Sequence, residues 1–149
     1  MGLKKAVLVG LAAGLAMGLA LFLVGAIASF LVYGPQFAPE GKFEPAQLNA
    51  WYFLWTKLLI GAVFGVLLTV LYELLPLSRR LTGVLAGLRY AACVWLVVFL
   101  WGLSHPLVYE TVSVRDEVFW LVYTLGGFLG FGAALGFAYA RYARRLTGA

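Results

Sequence analysis

The chain has 149 residues, of which 64% are hydrophobic and 11% charged. A soluble domain averages about 45–50% apolar and about 25% charged, so the composition excludes a water-soluble globule, and no separate soluble domain is expected because the longest polar break, Gly34–Asn49, has about 16 residues. The net charge of +5 does not mark a nucleic-acid binder, because the basic residues flank apolar segments and never run longer than two in a row.

The first apolar stretch, Ala6–Tyr33, follows Lys4 and Lys5. It contains Ala26-Ile27-Ala28, which mimics a small-x-small cleavage site. Its apolar run of about 20 residues exceeds the 7–15 of a signal-peptide core, so a retained helix is expected over about 6–33. Gly10, Gly14 and Gly18 recur along it at steps of four.

The second stretch, Ala50–Leu75, follows Glu44-Pro45. Proline suits a first helical position because its missing N–H would be unpaired there. A helix is therefore expected over about 46–75, ending at Pro76. Lys57, Gly61, Gly65, Thr69 and Glu73 stand at steps of four. Each such step drifts by ~40° at 3.6 residues per turn, so the series is a slanting stripe, with Lys57 and Glu73 expected to face different ways.

The third stretch, Leu81–Leu103, predicts a helix over about 81–104 that Ser78 or Thr82 can cap. It carries Gly83, Gly87 and Ala91 at steps of four, with Arg89 and Cys93 beside them. A single cysteine forms no internal disulfide, and Cys93 is expected to be a small buried apolar residue. Gly102 through Pro106 closes this helix and includes His105.

The fourth stretch, Val118–Tyr142, predicts a helix over about 115–143. The Ser113 hydroxyl can accept from an early backbone N–H, and Asp116 and Glu117 favour the positive end of the helix dipole. Gly126, Gly130, Gly132 and Gly136 line this helix.

About 20 apolar residues at ~1.5 Å each cross a ~30 Å hydrocarbon core. All four stretches meet that length. The expected fold is all-α: one integral-membrane four-helix bundle over residues 1–149, built of two transmembrane hairpins. Lys4, Lys5, Arg79, Arg80, Arg89, Arg141, Arg144 and Arg145 fall on one side of an alternating arrangement; Lys42, Lys57 and Arg115 fall on the other. The positive-inside rule then predicts a plasma-membrane protein with both termini cytoplasmic. Tyr33, Trp51, Tyr52, Trp55, Trp101, Phe119, Trp120 and Tyr123 are expected in an outer aromatic belt, and Tyr72, Tyr90, Tyr139 and Tyr142 toward the inner side.

Little hydrophobic drive joins helices in lipid, so close van der Waals contact at small residues must hold them. Glycine faces in all four helices predict tight packing, within one chain or between copies. The segment Gly10–Gly18 also echoes Gly83–Ala91, and each follows a basic pair. Such an echo is what a parallel repeat of two hairpins produces, although low complexity produces similar matches.

Ionisable groups within a bilayer are functional candidates by default, which singles out Lys57, Glu73 and Arg89. For Lys57, snorkelling to the outer headgroups competes with an inward position that holds an anionic group. Glu73 is expected to pair with Arg89 across helices two and three, or with Arg79 or Arg80; a charge pair in a transport path is the functional alternative. His105 is the only histidine, which excludes bis-histidine haem ligation within one chain. Glu110 and Asp116 are too few donors nearby for zinc. Ser104 adjoins His105 in sequence, which is poor geometry for a triad. His105 remains an interfacial candidate that could respond to pH. No metal or cofactor is expected.

Gly61-xxx-Phe64-Gly65, Tyr72-Glu73-Leu74-Leu75-Pro76, Gly83-xxx-Gly87-Leu88, the Pro106 break and Gly127–Gly136 together resemble small four-helix membrane proteins of bacteria and archaea whose function is unknown. That resemblance implies the architecture alone. The leading functional expectation is a non-catalytic membrane protein: an accessory or assembly subunit, or a self-associating bundle, in contact with membrane lipids and as a homo-oligomer or part of a larger complex. The alternative is a small oligomeric transporter or channel using Lys57, Glu73 and Arg89.

Overall fold

A computed structural model describes residues 3–33, 50–75, 83–102 and 114–147. The described residues form four helices: α1 (Leu3–Tyr33), α2 (Ala50–Leu74), α3 (Val84–Gly102) and α4 (Val114–Thr147). Each is long and apolar enough to cross a membrane. Helix α1 starts early enough to hold Lys4 and Lys5 in its first turn, and α4 runs past the expected end at residue 143.

The third helix begins later than its sequence predicts. Gly83 has φ +113°, a left-handed, non-helical conformation that glycine adopts without steric cost. Its carbonyl accepts the first helical bonds, from Ala86 N at 3.1 Å and Gly87 N at 3.2 Å. The N-cap position is thus Gly83 rather than Ser78 or Thr82. Those two residues, with Glu44, Pro45, Pro76, His105 and Ser113, lie outside the described residues.

The helices pack in the order α2–α1–α4–α3, and the other pairs barely approach. Neighbours run antiparallel. Gly10, Gly14 and Gly18 of α1 lie against the backbone at residues 65–66, 61–62 and 57–58 of α2, in that order. Gly87 of α3 likewise lies on Gly132 and Gly136 of α4, with Gly83 beside Gly136. Gly126, Gly127 and Gly130 present a second face of α4 to Val24, Leu21, Ala20 and Ala16 of α1. Glycine faces therefore close all three helix–helix contacts from within one chain.

The core runs along α1 and α4. Phe131 and Leu135 of α4 are fully buried, among Ala13, Met17, Leu21, Tyr72, Ala91, Tyr123, Phe128 and Tyr139. Large apolar side chains cover the outside, including Leu15, Leu23, Leu59, Leu67, Val97 and Phe137. Cys93 is exposed, contrary to the buried position expected. Helix α3 buries only Ala86, Gly87 and Ala91, because its one close neighbour covers a single narrow face.

Candidate functional site

The aromatics expected in the outer belt and toward the inner side differ in burial. Trp51, Tyr52, Trp55, Trp101 and Trp120 stay exposed at one end. Tyr123, Tyr72 and Tyr139 are instead buried, and Tyr90 is partly buried. The reason is register. On α4, Tyr123, Gly127, Phe131, Leu135 and Tyr139 stand at steps of four and are all buried, so both tyrosines continue the core stripe. That spacing was visible in the sequence, but amphipathic rings near helix ends read first as anchors.

The interior polar groups fall in two places along α2. Near its C-terminal end, Tyr139 donates a hydrogen bond to Glu73 Oε1. The Tyr139 ring packs edge-on to Tyr72, with centroids 5.0 Å apart. Tyr72 packs in turn on Tyr90 of α3 at 4.9 Å. Tyr90 donates to the Leu68 carbonyl at 2.8 Å. Three tyrosines and one carboxylate thus link α2, α3 and α4 where the backbones of α2 and α3 stand apart. Among the described residues no ion pair joins Glu73 to Arg89, and Arg89 is exposed. Glu73 accepts from Tyr139 while Arg89 takes the exposed side of α3, so the expected Glu73–Arg89 pair does not form; Arg79 and Arg80, the other expected partners, lie outside the described residues.

Thr69 lies one turn from Glu73, fully buried, and its hydroxyl has no hydrogen-bond partner among the described residues. A Cβ built at Gly10 would come within 3.2 Å of the Thr69 Cβ. The close approach of α1 therefore encloses this hydroxyl.

Toward the tryptophan-rich end, Lys57 Nζ sits 4.9 Å from the centre of the Phe53 ring and 5.1 Å from that of Tyr123. Tyr123 is itself stacked on Phe119 at 5.7 Å and edge-on to Trp120 at 5.8 Å. Each desolvated cation–π contact contributes up to about 2 kcal/mol. The two rings attract the ammonium without neutralising its charge. Lys57 and Glu73 both reach tyrosines of α4, rather than facing different ways. Long side chains bridge the angular drift of the stripe, and α2 and α4 run parallel on either side of α1.

No family model, curated protein or solved structure matches the chain. Among the described residues no group of three or more His, Cys, Asp or Glu side chains is placed to hold a metal ion. Helices α3 and α4 are further joined by Trp95 Nε1, which donates to Thr124 Oγ1 at 3.1 Å. At the opposite end from the tryptophans, the Lys5 ammonium lies 5.3 Å above the Tyr142 ring and ties α1 to α4.

Proposed function

We propose that the chain is a non-catalytic multi-pass protein of the plasma membrane, an accessory or assembly subunit of a larger membrane complex. It would form two transmembrane hairpins with both termini cytoplasmic. The observation that carries this reading is how unevenly the helices are covered. Helices α2 and α3 stand at the two ends of the packing order and are the least buried of the four. Their outer faces carry Leu59, Val63, Leu67, Leu85, Val97 and Leu100. The glycine faces are engaged inside the chain, so a partner or second copy meets these bulky faces instead.

Photocrosslinking amino acids at Val63 and Val97, compared with Leu15 and Phe137, test this in native membranes. The expected result is one discrete protein adduct from the α2 and α3 positions and none from the other two. Adducts to lipid alone from all four positions would refute the subunit reading.

A second reading, a small oligomeric transporter or channel, draws support from Lys57 and Glu73, both half-buried and turned toward tyrosines of α4. Arg89 is exposed and would enter such a path only from a neighbouring copy. Ion flux in proteoliposomes that is abolished by Glu73→Gln would favour it over the subunit reading.

A further inference from the structure

Lys57 is held at both ends of its side chain. A Cβ at Gly18 would meet the Leu58 Cα at 2.7 Å, so α1 presses on the backbone at this position. The ammonium lies over Phe53 and Tyr123. Ring quadrupoles attract a cation but carry no net charge, so its charge is left uncompensated.

The described residues supply no counter-ion. Helix α1 contains no acidic residue, and the only one in α2, Glu73, stands sixteen residues away, ~24 Å at helical rise. Asp116 and Glu117 precede Tyr123 by seven and six residues on α4, ~9–10 Å along that helix. Among the described residues Lys57 makes no ion pair, and the Tyr123 hydroxyl makes no hydrogen bond. A cation and an O–H donor therefore stand together with nothing among the described residues to receive them.

Their level identifies the anion. Helical side chains lean toward the N-terminus, which for α2 is the tryptophan-rich end. Phe53 lies one turn from Lys57 in that direction, and Trp51, Tyr52 and Trp55 are exposed around it. Such rings settle at the headgroup level of a bilayer. Lys57 is half-buried, which leaves the residue open to that level, where the abundant anion is a lipid phosphate.

We propose that Lys57, Phe53 and Tyr123 form a binding site for the phosphodiester headgroup of an anionic phospholipid. The ammonium supplies charge, the Tyr123 hydroxyl donates to a phosphate oxygen, and the Phe53 ring fixes the direction of the lysine. A zwitterionic headgroup binds less well, because its own choline competes for the phosphate charge. The site rests on the membrane placement above, and the two fail differently: a chain that does not insert is absent from nanodiscs altogether.

The test is native mass spectrometry of the full chain from nanodiscs of phosphatidylcholine mixed with phosphatidylglycerol. One retained phosphatidylglycerol is expected, with at least fivefold preference over phosphatidylcholine. Lys57→Gln should abolish that preference, Lys57→Arg should keep it, and Tyr123→Phe should weaken it several-fold. The double variant Lys4→Gln/Lys5→Gln should keep it. Equal retention of the two lipids by the wild type, or an undiminished preference in Lys57→Gln, overturns the site. Should Lys57→Gln fail to fold, an undiminished preference in Tyr123→Phe does the same. Complete displacement of the lipid by inorganic phosphate would assign the site to a soluble anion and overturn the lipid proposal.

Discussion

Glu73 and Thr69 sit one turn apart with opposite hydrogen-bonding fates. The Glu73 carboxylate accepts from Tyr139, and a hydrogen bond to a charged group contributes about 1.5–3 kcal/mol. Tyr139→Phe keeps the ring and its edge contact with Tyr72, so the expected loss is about that amount. Reversible unfolding in mixed micelles measures it; a change below about 0.5 kcal/mol would mean that Glu73 does not depend on Tyr139. Thr69 is the reverse case. A buried hydroxyl with no partner costs about 1–3 kcal/mol, and valine has nearly the same shape. Thr69→Val is therefore expected to stabilise the protein by roughly 1 kcal/mol in the same assay. A loss of stability would show that the hydroxyl has a hydrogen-bond partner, such as a bound water.

At the scale of elements, glycine decides which helices touch. A Cβ at Gly14 would meet the Ala62 Cα at 2.9 Å, and one at Gly87 would meet the Gly136 Cα at 2.8 Å. Both obstacles are backbone, which cannot rotate away. Overpacking of this kind costs about 1–3 kcal/mol, so Gly14→Ala and Gly87→Ala should each destabilise by that order. Among the described residues nothing lies within 4 Å of a Cβ built at Gly102, and Gly102→Ala serves as the neutral control. Equal stabilities for all three variants would contradict the close approach of α1 to α2 and of α3 to α4. The spacing of these glycines was legible in the sequence; the helix each row meets was not. A period of four marks a face, but the two glycine faces of α4 address different partners, Gly126, Gly127 and Gly130 toward α1 and Gly132 and Gly136 toward α3.

Across the whole molecule, the sequence echo between Gly10–Gly18 and Gly83–Ala91 has a packing counterpart. Each row lies on a glycine pair of the next helix, Gly61 and Gly65 in one case, Gly132 and Gly136 in the other. The likeness stops at the contact between the two pairs. Helix α1 packs closely on α4, whereas α2 and α3 meet through Tyr72 and Tyr90. That wider seam is where the tyrosine–carboxylate cluster sits. The proposed orientation has a direct test on a Cys93→Ala background, which exposure at position 93 makes tolerable. Single cysteines at Lys4 and Arg144 should react with a membrane-impermeant maleimide only after the cytoplasmic face is opened. A cysteine at Lys42 should react in intact cells, and the opposite pattern would invert the topology.

Four long apolar helices, their approximate limits and the small-residue faces all followed from composition and spacing, because hydropathy and steric size are local properties. The roles of the charged residues did not. Lys57, Glu73 and Arg89 were recognisable as unusual, yet only the tertiary structure put Lys57 and Glu73 against tyrosines of α4 and left Arg89 outside. Side chains that reach across a bundle choose partners by which helices are neighbours. That choice depends on how closely backbones approach one another, which no single helix encodes by itself.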